Sequence, residues 1–180
     1  MGIILSSFRG CGREFLKNTH GDKVKIYDAI DDIPTTDIEG KTNQDLLEEY
    51  YNKVMDNVDS YDIVFIDSSA SIRDTFNEHG VDYDVFYPSK ERRGEFIENQ
   101  VRKRVKPDVI RSLDKNFEKW VQEIDDDEAP NCYKHKLSNM GEFIGNSPII
   151  MQYIDGIRNQ PKIQGTTQTN NEEKIEDKND

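Results

Sequence analysis

Four consecutive apolar residues, Ile63-Val64-Phe65-Ile66, stand between Asp62 and Asp67 with no polar residue to face water. A strand with one wet face alternates apolar and polar side chains. An unbroken apolar run needs cover on both faces, which is the situation of a central strand in a parallel sheet. The rest of the chain repeats the theme at lower intensity. Apolar stretches predict strands over residues 3–6, 23–27, 62–66, 83–87 and 132–137. Helical spacing falls between them, over 13–18, 44–58, from Ser69 or Ser71 through Phe76 to Gly80, over 94–104, and onward from Pro107. Residues 31–42, with Pro34, Asp37 and Gly40, read as a loop, and 141–157 as broken helix. Alternating strands and helices with short connections predict a three-layer α/β/α domain around a parallel sheet of five strands. The domain is expected over residues 1–158. The stretch 159–180, nearly devoid of apolar side chains, is expected to be a disordered acidic polar tail.

The helix after Pro107 carries Val109, Ile110, Leu113, Phe117, Trp120, Val121 and Ile124 on one side. Trp120, the single tryptophan, is assigned by that spacing to the core. With 36 acidic against 24 basic residues the net charge is −12, which argues against a general affinity for nucleic acid or anionic membrane. No apolar run approaches the roughly 20 residues of a membrane helix. Two cysteines, Cys11 and Cys132, and no signal peptide fit a reduced, cytoplasmic setting. Cys132 and His135 make one pair and not a zinc set.

The chemistry is concentrated after the first strand. Residues 7–14 read Ser-Phe-Arg-Gly-Cys-Gly-Arg-Glu. They have the place and length of the phosphate-binding loop G-x-x-x-x-G-K-[ST] at the start of a helix. Only Gly12 keeps its defining position. Ser7 replaces the first Gly, Arg13 the Lys, and Glu14 the hydroxyl that holds magnesium. Gly10 and Cys11 complete the loop, so Ser7, Gly10, Cys11, Gly12, Arg13 and Glu14 are the candidate cofactor-binding residues. Asp67, ending its apolar strand, has the place of a carboxylate that holds magnesium through water. The basic stretch 90–106 contains Arg92, Arg93 and Arg102, candidates for a lid that clamps phosphoryl groups. Cys11 at a helix start has no sequence partner that would make it a nucleophile.

Further pieces stand in order: Ile66-Asp67-Ser68-Ser69, Ile72-Arg73, Gly80-Val81-Asp82-Tyr83, Phe86-Tyr87-Pro88, Gly94-Glu95-Phe96-Ile97 and Asn116-Phe117-Glu118-Lys119-Trp120. With the loop and the Cys132 to His135 piece, this order over about residues 3–140 resembles a group of P-loop proteins of microbes, phages and fungi. Their layout is that of nucleoside monophosphate kinases. The resemblance implies strand order 2-3-1-4-5, a basic lid after the fourth strand, and use of ATP and magnesium. It departs at Gly12-Arg13-Glu14, where the group has Gly-Lys-Ser/Thr, and at Asn99, where it tends to have Arg. The expectation is a nucleotide-binding, kinase-like protein with a degenerate loop and weak or lost phosphoryl transfer, a pseudoenzyme in the limit. Its partner would be a nucleotide or another small phosphate. The alternative is a non-catalytic protein that keeps the fold and binds an unidentified protein partner.

Overall fold

The computed structural model describes residues 2–33 and 43–158. The predicted tail and most of the predicted 31–42 loop lie outside them. The element order is β1 (Ile3–Ser7), α1 (Arg13–His20), β2 (Ile26–Asp28), a 3-10 turn (Ala29–Asp32), α2 (Asn43–Val58), β3 (Ile63–Asp67), α3 (Ala70–Glu78) and β4 (Tyr83–Pro88). A second 3-10 turn (Lys90–Arg92), α4 (Arg93–Arg102), α5 (Pro107–Asp125), β5 (Cys132–Leu137), a third 3-10 turn (Ile144–Asn146) and α6 (Pro148–Arg158) follow. The five strands form one all-parallel sheet in the order β2-β3-β1-β4-β5. This is the predicted order, and the second strand is the one whose extent differs most, three residues at the sheet edge.

Strand burial follows from that order. β1 and β3 sit inside the sheet, and Leu5, Ile63, Val64, Phe65 and Ile66 are fully buried. β5 lies at the edge and exposes Tyr133, Lys134 and Lys136. Right-handed crossovers place the helix of the leftward connection, α1, on one face and those of the rightward connections on the other. The contacts agree. α1 and α6 both pack on the third 3-10 turn, while α2 packs on α3 and α4 on α5. Pro107 opens α5 at a position whose N–H has no intrahelical acceptor in any case. Leu113, Phe117, Val121 and Ile124 are buried as the spacing predicts, but Trp120 is only half-buried.

Two buried arginines tie the layers together. Arg73 on α3 donates from Nε to Asp127 Oδ2 at 3.1 Å, from Nη1 to the Ser68 carbonyl and from Nη2 to the Glu123 carbonyl. Arg92 makes a two-pronged pair with Glu95, 2.7 Å from Nε and 2.8 Å from Nη2, and its Nη1 donates to the carbonyls of Leu137 and Glu142. The same guanidinium lies over the rings of Phe96 and Phe143. A bidentate, hydrogen-bonded guanidinium offsets the cost of leaving water, whereas removing one partner strands a buried charge.

The hydrogen bonds from Arg92 hold the Glu95 carboxyl below its ordinary value of 4.5. Because the folded-state value is depressed, the stabilisation is complete above the unfolded value and lost as pH falls through the folded one. Glu95→Gln should destabilise the fold by about 3 kcal/mol at neutral pH in urea unfolding. Its deficit against the wild type should shrink as pH drops below about 4.5.

Candidate functional site

The central position of β1 decides where the loop after it emerges. In the parallel registers Ser7 lies opposite Asp67 of β3 and Phe86 of β4. The chain following β1 crosses one face of the sheet and the chains following β3 and β4 the other. The crevice between diverging connections at the carboxyl edge is where open α/β sheets bind ligands.

The loop is built as a tight curl. Phe8 donates its N–H to the Phe86 carbonyl at 3.0 Å, and Cys11 donates back to the Phe8 carbonyl at 3.1 Å. The Phe8 ring anchors the curl edge-on against Phe96 of α4 and Phe117 of α5, with centroids 6.3 and 5.3 Å away. Gly10 and Gly12 have φ of 94° and 95°, the left-handed region that side chains disfavour. A Cβ on Gly12 would also stand 2.8 Å from the Phe143 Cβ. The Cys11 carbonyl accepts from Ile144 N–H at 2.8 Å, so the segment after β5 forms the loop's outer wall. Gly12 caps α1 with no side-chain hydrogen bond, leaving the first N–H groups of the helix facing the crevice.

A cleft of about 440 Å³ opens beside the loop. Its charged walls are Arg9, Arg13, Glu14, Asp31, Asp67 and Lys103. Arg13 is held by Asp28, Nε to Oδ2 at 3.0 Å, and Lys17 reaches the same oxygen at 2.8 Å. Glu14 projects outward, its side chain 62% exposed and 4.0 Å from Lys17. Arg9 and Lys103 are exposed and, among the described residues, have neither an ion pair nor a hydrogen bond from the side chain. Gln100 lines the same cleft with 5% exposure, and its amide also has no hydrogen-bond partner among the described residues. Its Nε2 lies 3.0 Å from where a Gly10 Cβ would be. Asp67 accepts the Ser69 N–H on Oδ1 at 2.8 Å, and no described residue donates to its other oxygen. The buried Tyr50 hydroxyl finds no partner among the described residues. Burial and the nearby Asp67 charge push its titration up, keeping it neutral.

The structure thus gathers Ser7, Gly10, Gly12, Arg13, Glu14 and Asp67 at one cleft. It takes Arg92, Arg93 and Arg102 elsewhere. Arg92 is in the core as described, Arg93 pairs with Asp114 and Glu118, and exposed Arg102 pairs with Glu98. None of the three lines the cleft. The Cys11 thiol is fully buried, and burial pushes its titration up, away from thiolate chemistry. Trp120, expected in the core, packs half-buried against it and also walls a second cavity with Asp67 and Arg9. The residues missed were Arg9 and Gln100, while Lys103 lies in the predicted basic stretch 90–106. Arg9 is the loop's other cation beside Arg13, and Gln100 and Lys103 are three apart on the chain, spaced to share one helix face.

On the apolar side of the loop, a hollow of about 410 Å³ is walled by Phe15, Phe143, Asn99 and Lys103. It shares Gly10, Gly12 and Lys103 with the charged cleft. Phe15 is 47% exposed there. Comparison with known protein families and with curated proteins finds no match.

Gly80 has the same sign of φ as Gly12, at 64°, but no atom within 4 Å of a Cβ. Gly80→Ala should therefore cost about 1 kcal/mol from backbone conformation alone. Gly12→Ala should cost clearly more, because Phe143 must also move. Denaturant midpoints of the two variants measure the difference.

Proposed function

We propose that the chain binds a nucleoside triphosphate across the curled loop, with phosphoryl transfer weak or lost. The observation carrying this reading is the uncapped start of α1, which opens on a cleft lined by the Gln100 amide and by two cations, Arg9 and Lys103, that no described residue pairs. The Gln100 amide reaches that cleft and can donate to an anion bound there. Free helix N–H groups and about half a positive charge at the helix start favour the same occupant. Arg9 and Lys103 supply unpaired cations on two sides of it. The hollow with Phe15 and Phe143, continuous with the loop through Gly10 and Gly12, suits an apolar planar base.

Weak transfer follows from the two substituted positions. Arg13 is drawn toward Asp28, so its charge is largely answered before any phosphate arrives. Glu14 presents a carboxylate where a hydroxyl would help hold magnesium. Asp67, with one oxygen unclaimed, is the residue that would hold magnesium through water, an ion that keeps several waters and needs few carboxylates. Such an ion would supply charge neutralisation between the phosphates. The chain's own contribution is then to bind and orient the phosphates rather than to drive transfer.

Calorimetric titration with ATP and magnesium tests this. Binding is expected below about 1 mM, and the Arg9→Ala, Lys103→Ala double variant should weaken it at least about tenfold, or about 1.4 kcal/mol. Glu14→Ser should strengthen it by removing an anion near an anion. An absence of heat with ATP would instead favour a non-catalytic protein that keeps this fold for a protein partner.

A further inference from the structure

Asp67 and Arg9 each face two cavities. Beyond the cleft beside the loop, they line a separate space of about 270 Å³ on the side of α5. Its other walls include Trp120, Ser69 and Glu123. Trp120 is half-buried at the rim of the core, as Val109 and Ile110 are on the same stripe of α5, and its indole N–H has no partner among the described residues. Part of the ring packs on the core and part lines the cavity. An indole face on a small cavity is a stacking surface for a planar ring, worth about 1–3 kcal/mol when the ring is a nucleobase.

The polar groups around the ring platform restrict what the planar molecule can carry. Glu123 and the unclaimed oxygen of Asp67 are acceptors and take hydroxyl donors, as a carboxylate takes a ribose diol. Among the described residues the Glu123 carboxylate pairs with Lys119 at 3.6 Å, an exposed partner that answers its charge weakly. Arg9 is the single cation among the described residues lining the cavity, and it also faces the phosphate cleft. With a triphosphate bound there, Arg9 is engaged, and the cavity is left with two carboxylates. A second phosphate dianion would be repelled in it.

We infer that this second cavity binds a planar, hydroxyl-bearing molecule without a phosphate, of the nucleoside class, stacked on Trp120. The inference rests on the nucleotide reading above for the engagement of Arg9. It departs from the expected monophosphate-kinase layout in excluding a phosphorylated second ligand. The cavity is held in shape independently of any ligand. Arg73 fixes the carbonyls of Ser68 and Glu123, which stand at two of its walls.

Because Trp120 is the single tryptophan of the chain, its emission reports on this cavity directly. The protein, with ATP and magnesium present, is titrated with adenosine, guanosine, cytidine and uridine, and then with their 5′-monophosphates. At least one nucleoside should quench the emission saturably below about 1 mM, and its monophosphate should bind at least about tenfold more weakly. By calorimetry, Trp120→Leu should weaken that nucleoside about tenfold, while Trp120→Phe, which keeps an aromatic face, should retain most of the affinity. ATP binding should be unchanged in both. Absence of saturable nucleoside binding, or a monophosphate that binds as tightly as the nucleoside, overturns the inference. If ATP heat persists in that case, the nucleotide reading stands without it. If ATP heat is absent from the wild type as well, both fall.

Discussion

The position of the curled loop depends on a guanidinium that never reaches solvent. Arg92 binds Glu95 through two nitrogens and, with a third, the carbonyls that end β5 and precede Phe143. Those contacts set the segment between β5 and α6 against the loop. From there Ile144 donates to the Cys11 carbonyl, and Phe143 packs on Gly12 where a side chain would not fit. The chain leaving the central strand is thus clamped between this wall and the aromatic cluster of Phe8, Phe96 and Phe117. Without the Arg92 network the loop would have an anchor on one side only.

Arg73 plays a parallel part on the opposite side of the crevice. Its three donors join the chain after β3, the end of α5 and Asp127, and Asp127 in turn accepts from the Ala129 N–H and from Asn77. Two buried cations therefore frame the carboxyl edge of the sheet. Each is fully answered by the protein, which is what allows them to be buried. Both are turned into the protein, and neither lines the cleft. The cations left to meet one are those the fold did not use, Arg9 and Lys103.

That division of labour explains the character of the site. Its backbone is curled and its helix start is open, as an anion site requires. Yet the side chain best placed on α1 to meet a phosphate, Arg13, shares Asp28 with Lys17. The Tyr50 hydroxyl near Asp67 is a buried polar atom that a packed core would normally satisfy, and it has no partner among the described residues. The Gln100 amide beside Gly10 opens on the cleft and is likewise unpaired among them.

Element positions, the parallel sheet and the loop were legible in the sequence because they follow from local spacing. Four apolar residues in a row specify a covered strand, and two glycines after it permit a curl, wherever the rest of the chain lies. The strand order came from the resemblance rather than from spacing. The fates of the charged side chains were not legible. Arg92 and Arg93 are neighbours of identical chemistry, yet one lies at 2% exposure in the core and the other on the surface. A helical step of about 100° separates them, and only the packing of α4 against α5 decides which one faces inward. Trp120 obeyed the helical period and packs on the core, but it also meets a cavity whose opposite wall comes from the end of β3, more than fifty residues away in the chain. The sequence by itself determined the layers and the place of the loop. Which charges the fold consumes and which it leaves for a ligand was decided by long-range packing alone.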